Sequence, residues 1–383
     1  MTASATVYLD NNATTAPAPQ VVAAMIGCLQ SDWGNPSSLH RIGAAAKARI
    51  GEARAQVASL VNASPAEIIF TGSASEANHL AILGALAVAP ERRRIVTSAV
   101  EHPSTLRLVH HLRGQGVEVV ELAVDHQGRI DPNELNAAIT PATSLVTLMW
   151  ANNETGALLP IAQAAALSRE RGALFHCDAA QAAGRLAIDL RTLPIDLLSL
   201  SAHKLHGPKG VGALFVRKGL RWPPMVHGHQ ERGRRGGTEN SAGIVGFGVA
   251  ATLAKDSLHD DAKRMRLLRD CLERGLLAAL PHVVVNAGEN ERLTNTSNFR
   301  VATTQAEVIL DRLDRVGVCA SGGSACTAGG TEPSHVLTAM GQSRGQALAA
   351  LRFSLSRYTT AAEIDRVLAV VPAVVLPVLR NAA

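Results

Sequence analysis

Between residues 65 and 216 short apolar runs alternate with alanine-rich stretches of helical character. The runs are Glu67 to Phe70, Ile95 to Thr97, Val117 to Leu122, Leu145 to Trp150, Ala173 to His176, Asp196 to Leu200 and Gly212 to Val216. Strands that alternate with helices build a mainly parallel sheet covered on both faces. This predicts an α/β fold whose ligand site lies beyond the carboxyl ends of the strands. Polar clusters stand at those ends: Thr71 to Glu76, Glu101-His102-Pro103, Asn152 to Gly156, Asp178 to Gln181 and Ser201 to Lys204. Around Pro223-Pro224 the alternation breaks into a Gly/His/Arg loop ending at Gly236-Gly237-Thr238-Glu239-Asn240. In the helical stretch that follows, Met265, Leu267, Leu268, Cys271, Leu272 and Leu276 recur at helical spacing and are expected to be plain core. Past about residue 290 a second, smaller α/β unit is expected, with a glycine- and serine-rich loop from Ser321 to Gly330.

Composition narrows the function classes. The chain has 383 residues, 47% hydrophobic but only 3% aromatic, so its core must be Ala, Val, Leu and Ile. No run of about 18 apolar residues predicts a membrane span. Neither a basic start nor an apolar signal region precedes Asp10-Asn11-Asn12, so a cytoplasmic protein is expected. The net charge of +5 is spread out, and its densest group (Arg232, Arg234, Arg235) is interleaved with glycine. That favours anionic ligands or partners over nucleic acid. Five widely spaced cysteines, Cys28, Cys177, Cys271, Cys319 and Cys326, fit no disulfide framework and no Cys-x-x-Cys site. The pairs His203/His206 and His227/His229 have no acidic or thiol neighbours at zinc spacing, so no intrinsic metal is expected.

Lys204 follows the apolar run that ends in Leu200. A strand ending in Ser-x-His-Lys puts one amine and two phosphate-seeking groups on one sheet edge, the equipment for holding pyridoxal phosphate as a Schiff base. A solvated surface lysine is the alternative. Thr71 to Glu76 precedes the helical run Ala77 to Leu86, and small residues at a helix N-terminus suit a phosphate. N-capping by Ser73 or Ser75 explains the same residues. Asp178, after the apolar Leu174-Phe175-His176-Cys177, would be costly to bury unpaired. A protonated pyridine nitrogen would pair it, and a helix-capping role is the other option. Gln181, three residues on, could hydrogen-bond a ring oxygen, and His102 could stack on a ring, with a satisfied polar group as the alternative for a lone histidine. Cys326, among small residues, suits a thiol carried to a substrate, unless it is incidental. Arg352 could clamp a carboxylate or lie on the surface.

Taken together these motifs resemble the cysteine desulfurases of the fold-type I, class V aminotransferase superfamily, most of all the nitrogen-fixation, NifS-like branch. The resemblance runs from Val7-Tyr8-Leu9-Asp10-Asn11-Asn12 to Arg352-Phe353-Ser354-Leu355-Ser356-Arg357-Tyr358. Its most specific stretches are Met149 to Gly156, Ser199 to Gly212, Gly228 to Asn240 and Gly323 to Thr327. It implies a large domain with a mainly parallel seven-stranded sheet over residues 15–257, and a small α/β domain from 1–14 and 258–383 that carries the cysteine loop. Lys204 would hold the pyridoxal phosphate. Ala74, Ser75, Ser201 and His203 would cradle its phosphate, with Thr238 reaching in from the second subunit of a homodimer. Asp178 would pair with the pyridine nitrogen, Gln181 with the ring oxygen, and His102 would stack on the ring. Asn153 and Arg352 would hold the carboxylate of L-cysteine. Lys204 would shuttle protons, and Cys326 would take the sulfur as a persulfide for an iron–sulfur scaffold or another acceptor. L-alanine would leave.

Four positions depart from the family pattern: Gly322 for Ser, Ala202 for Gly, Ser75 for Thr, and Ser73 near a usual Gly. All are small-for-small, so the site is expected to survive. The tail after Arg357 is short, which leaves the choice of acceptor open. Another enzyme of the superfamily, such as an aminotransferase or a selenocysteine lyase, would have no need of a thiol in a long loop. A non-catalytic sulfur carrier or scaffold would be expected to lack Lys204, Asp178 or His102, and the chain has all three.

Overall fold

The computed structural model describes residues 6–301, 306–322 and 332–380. All seven expected strands form: β2 Ile68–Thr71, β3 Arg94–Ser98, β4 Glu118–Leu122, β5 Thr143–Met149, β6 Leu174–Asp178, β7 Leu197–Ser201 and β8 Gly212–Val216. They make one sheet in the order β2-β8-β7-β6-β5-β3-β4. The pairs among β3 to β7 are parallel, and β8 runs antiparallel to both of its neighbours. Strands β2, β5, β7 and β8 are buried along their whole length, as near-continuous apolar runs require when both faces are covered.

One face packs on a cluster that includes Ile50, Val57, Phe175, Leu198 and Phe247. The other packs on Leu80, Ile82, Val109 and Leu112. The covering helices include α1 Pro19–Ser31, α2 Arg41–Leu60, α3 Ala74–Val88 and α4 Pro103–Arg113.

A second sheet stands apart, with the antiparallel order β12 (Ser321–Gly322), β13 (Ala350–Ser354), β10 (Thr296–Arg300), β9 (Val284–Val285). Its own apolar cluster contains Phe299, Leu351, Phe353, Val367 and Val371. The chain's first strand, β1 (Val7–Tyr8), pairs in parallel with β11 (Val318–Cys319) beside this cluster. The long helix Leu258–Ala279 buries Met265, Leu272 and Leu276. Leu267 departs from the expected core stripe: it is 63% exposed, because adjacent positions 267 and 268 point about 100° apart and only Leu268 reaches the cluster.

Between β1 and α1 the chain forms a strap. Asp10 bridges Ser354 of β13, and Asn12 N–H donates to the Ser354 hydroxyl at 3.0 Å. Thr15 N–H then donates to the His203 carbonyl at 3.0 Å, and Ala18 N–H to the His206 carbonyl at 2.9 Å. The strap is therefore bonded first to the small sheet and then to the turn after β7.

Candidate active site

The strand ends converge on one cleft of about 310 Å3. It is lined by Ala74, Ser75, His102, Asn153, Asp178, Gln181, Ser201, His203, Lys204 and Arg352. Ten residues singled out in the sequence are thus brought together. Thr238 is not among them; it lines a separate pocket with Thr71, Gly72 and Asn240. Cys326 lies outside the described residues.

Helix α3 supplies the anion cradle. Ser73 is its N-cap, with Oγ accepting from Glu76 N–H at 3.1 Å, so Ser73 and not Ser75 does the capping. The N–H groups of Ala74 and Ser75, in the first turn, have no acceptor within the helix and sit at the positive end of its dipole. This turn lies directly on β8. A Cβ on Gly212 would stand 2.5 Å from the Ser73 carbonyl carbon and 2.8 Å from the Ala74 nitrogen, so only glycine fits there.

Lys204 ends a single helical turn, Ala202–Lys204, immediately after β7. Its Nζ donates to the Asn12 carbonyl at 2.5 Å and the Ala13 carbonyl at 2.9 Å. His203 beside it hydrogen-bonds Thr14 Oγ1 at 3.1 Å. Burial, reinforced by Lys204 and Lys209, pushes the His203 imidazole down to about 4, so it is neutral at physiological pH.

Asp178 closes β6 and is 7% exposed. Its Oδ2 accepts from Asn78 Nδ2 at 2.7 Å and its Oδ1 from Ala180 N–H at 2.9 Å. Both bonds favour a carboxylate held in one orientation. Gln181 is fixed as well. Arg185, which can only donate, bonds the Gln181 side-chain oxygen. Gln181 Nε2 therefore faces the other way, donating to the Asn12 carbonyl at 3.0 Å and keeping one further N–H.

His102 caps α4. Its Nδ1 accepts from Ser104 N–H at 3.1 Å, which puts the ring proton on Nε2. Burial lowers its pKa, Asp178 opposes that, and Lys204 and His335 add to it.

Arg352, on β13, is 1% exposed. It spans the two sheets: one terminal nitrogen pairs with Asp10 Oδ1 at 2.6 Å and the other donates to the Asn153 carbonyl at 3.0 Å. Its Nε is buried with no hydrogen-bond partner among the described residues.

Two buried carboxyls lie close to the cleft. Glu101 accepts from Ser98 Oγ at 2.6 Å and Met149 N–H at 2.9 Å, and burial pushes it up to about 8. Glu154 accepts from Ser334 Oγ at 2.5 Å and is pushed up to about 7, again chiefly by burial. Among the described residues no group of three or more His, Cys, Asp or Glu side chains could hold a metal ion, and no helix is long and apolar enough to cross a membrane.

The sequence motifs did not single out Asn78, or assign contacts to Asn12 and Ala13. Asn78 carried no clear signal: only the structure shows it as a buried amide in a helix whose other buried positions are Ala, Leu, Ile and Gly. Asn12 carried little, because its partners Asn153, Thr296 and Lys204 are at least 141 residues away in the chain.

The donor set fits pyridoxal phosphate. An amine, an oriented carboxylate, the uncapped N–H groups of α3 and a half-buried imidazole face one cleft. Asn78 Oδ1 and Arg352 Nε, both buried, have no partner among the described residues. The same cleft therefore has polar capacity left to meet a ligand.

Comparisons with known proteins agree with this geometry. Residues 7–367 match the model of the family "Aminotransferase class-V". Cysteine desulfurase 2 of Trichormus variabilis is 50% identical over 370 residues, covering 96% of this chain and 93% of that protein. The cysteine desulfurase NifS of Azotobacter vinelandii is 47% identical over 379 residues, covering 98% and 94%. A solved structure titled as a NifS-like protein superposes with a TM-score of 0.91 at 34% identity, covering 97% of this chain and 99% of that one. With its cleft at the strand ends of a seven-stranded sheet and this near full-length match, the chain belongs to the class V aminotransferase family.

Proposed function

We propose that the chain is a pyridoxal-phosphate-dependent cysteine desulfurase, which removes sulfur from L-cysteine, releases L-alanine and passes the sulfur on from Cys326. The observation that carries this reading is the shared cleft in which the Lys204 amine, the Asp178 carboxylate and the N-terminus of α3 meet. Full-length relatives named as cysteine desulfurases support the choice of substrate.

Lys204 would hold the cofactor, Ala74, Ser75, Ser201 and His203 its phosphate, Asp178 its ring nitrogen and Gln181 its ring oxygen. Bound there, pyridoxal phosphate supplies an electron sink. Arg352 and Asn153 hold the substrate carboxylate, the guanidinium supplying the charge. The Asn12 and Ala13 carbonyls keep the Lys204 amine at the cleft, where it moves protons at the substrate carbon. His203, neutral, adds no charge beside it. The Cys326 thiolate attacks the substrate sulfur. A sulfur–sulfur bond forms and the carbon–sulfur bond breaks, its electron pair staying with carbon, which takes a proton and leaves as alanine.

The active unit is a homodimer in which Thr238 completes the partner's phosphate cradle. Two observations support this. Thr238 lines a pocket other than its own chain's cleft. Helix α1 and the segment after it expose Val22, Ile26, Leu29, Trp33 and Leu39, and large apolar side chains gathered on one surface mark interaction sites. Residues 15–257 form the cofactor-binding domain, and residues 1–14 with 258–383 the domain that carries Cys326. The enzyme acts in the cytoplasm and delivers sulfur to an iron–sulfur scaffold or another acceptor, with supply to nitrogen-fixation proteins as one destination.

The test is an assay of sulfide and alanine from L-cysteine with wild type and Cys326→Ala side by side. Wild type is expected to be yellow and active, and Cys326→Ala yellow and inactive. A colourless wild type, or normal desulfuration by Cys326→Ala, overturns the reading.

A further inference from the structure

We infer that Asn78 is a positioning residue that sets both polar walls of the cleft, orienting the Asp178 carboxylate directly and the His102 ring through Ser104. The hydrogen bonds leave little freedom of direction. A carboxylate only accepts, so the Asn78 atom 2.7 Å from Asp178 Oδ2 is the amide nitrogen. The same nitrogen lies 3.2 Å from Ser104 Oγ, which takes its second proton. Ser104 Oγ, having accepted, donates its own proton to His102 Nδ1 at 2.8 Å. Ser104 N–H points at that same Nδ1 from 3.1 Å, and a backbone N–H cannot accept. Nδ1 is thus an acceptor twice over, and the ring proton is confined to Nε2.

Packing fits this role. Asn78 is 1% exposed on the face of α3 that meets α4, the helix capped by His102. Its Oδ1 is buried with no hydrogen bond among the described residues. A buried amide that leaves its oxygen unmatched costs stability, so its nitrogen contacts must supply what an apolar residue there would not. The chain Asp178–Asn78–Ser104–His102 fixes the acid and the imidazole as one unit.

The ligand side of this inference rests on the proposed function; the His102 side does not. The experiment therefore has two readouts, taken on Asn78→Leu and wild type. One is the dissociation constant of pyridoxal phosphate, read from its bound absorbance. The other is the His102 Nδ1 resonance, read with the tautomer by two-bond 1H–15N correlation in 15N-histidine-labelled protein with and without the cofactor, and assigned by difference from His102→Gln. Wild type is expected to show His102 as the Nε2–H form alone. Asn78→Leu is expected to bind the cofactor about tenfold more weakly, the loss of one charge-assisted hydrogen bond, and to keep the Nε2–H form, held by Ser104 N–H, while the His102 Nδ1 resonance shifts as the Ser104 hydroxyl loses its Asn78 partner. A variant with an unchanged His102 Nδ1 resonance, or with affinity within twofold of wild type, overturns the inference. If Asn78→Leu does not melt cooperatively, Asn78→Ser is judged by the same two outcomes. Failure of wild type to bind pyridoxal phosphate sinks the proposed function instead, and the His102 Nδ1 resonance in the cofactor-free protein still decides the role of Asn78.

Discussion

The two walls of the cleft are built in opposite ways. The sheet wall carries Ala74, Ser75, Asp178, Ser201 and Lys204, each at the end of a strand or the start of the helix that follows one. Its residues are placed locally, by the strand that each of them terminates or follows. The strap wall carries Asn12, Ala13 and Arg352, and almost every bond in it spans a large part of the chain: Arg352 to Asp10 over 342 residues, Lys204 to Asn12 over 192. The sheet wall therefore exists once the large sheet has formed. The strap wall exists only when both sheets and the N-terminal segment are docked together. Binding of the cofactor belongs to the first, and grip on the substrate carboxylate and on the lysine amine to the second.

Substitutions can break or sharpen this division. The largest effect is expected for Lys204→Ala, which removes the group both walls address. Turnover should fall on the order of 10³-fold, the scale of a lost acid–base group, with the bound cofactor's absorbance changed as well. Arg352→Leu should act on the strap wall alone. The Michaelis constant for cysteine should rise roughly ten- to a hundredfold, for the 1.5–3 kcal/mol of a charge-assisted hydrogen bond, while cofactor affinity stays near wild type. Equal losses of both would show that the walls are not separable. Gly212→Ala should do the reverse. Its methyl group meets the backbone of Ser73 and Ala74. Overpacking of this kind costs about 1–3 kcal/mol, to be read as a lower Tm and weaker cofactor binding with the Michaelis constant little changed.

The smallest effect concerns pH. Glu101 has its folded-state pKa raised from 4.5 to about 8 by burial. In the pH range between those values the folded state binds more protons than the unfolded one, so stability declines as pH rises through it. Glu101→Gln should flatten the fall in Tm between about pH 5 and 8. On the acid side His176, lowered from 6.5 to about 4 by burial, works in the other direction, and its contribution is lost as pH falls through that range. A Glu101→Gln profile that parallels wild type would mean that this carboxyl stays ionised.

The contrast between the walls also explains what was legible in the sequence. Seven apolar runs gave seven strands because each was short and bounded, and all but the edge strand β4 were largely buried. Lys204, Asp178 and Ala74-Ser75 were readable because they follow those runs directly. What Asn12 does was not readable, since nothing near it in the chain indicates that its carbonyl meets an amine at position 204. Asn78 was hidden differently: in a helix an asparagine looks like a tolerated polar residue until Asp178 and Ser104 appear beside it. Leu267 misled because it sits at the margin of a helical stripe, where one position further round the helix is already in water.

The strap has a practical consequence. The segment from Asp10 to Thr15 is remote in sequence from every residue expected to do chemistry, and an engineer adding a fusion or trimming an end would treat it as expendable. It supplies both carbonyls that grip the Lys204 amine, the acid that neutralises Arg352 and a partner for Gln181. A deletion reaching Ala13 is therefore an active-site lesion, and it should silence the enzyme while leaving the large sheet intact.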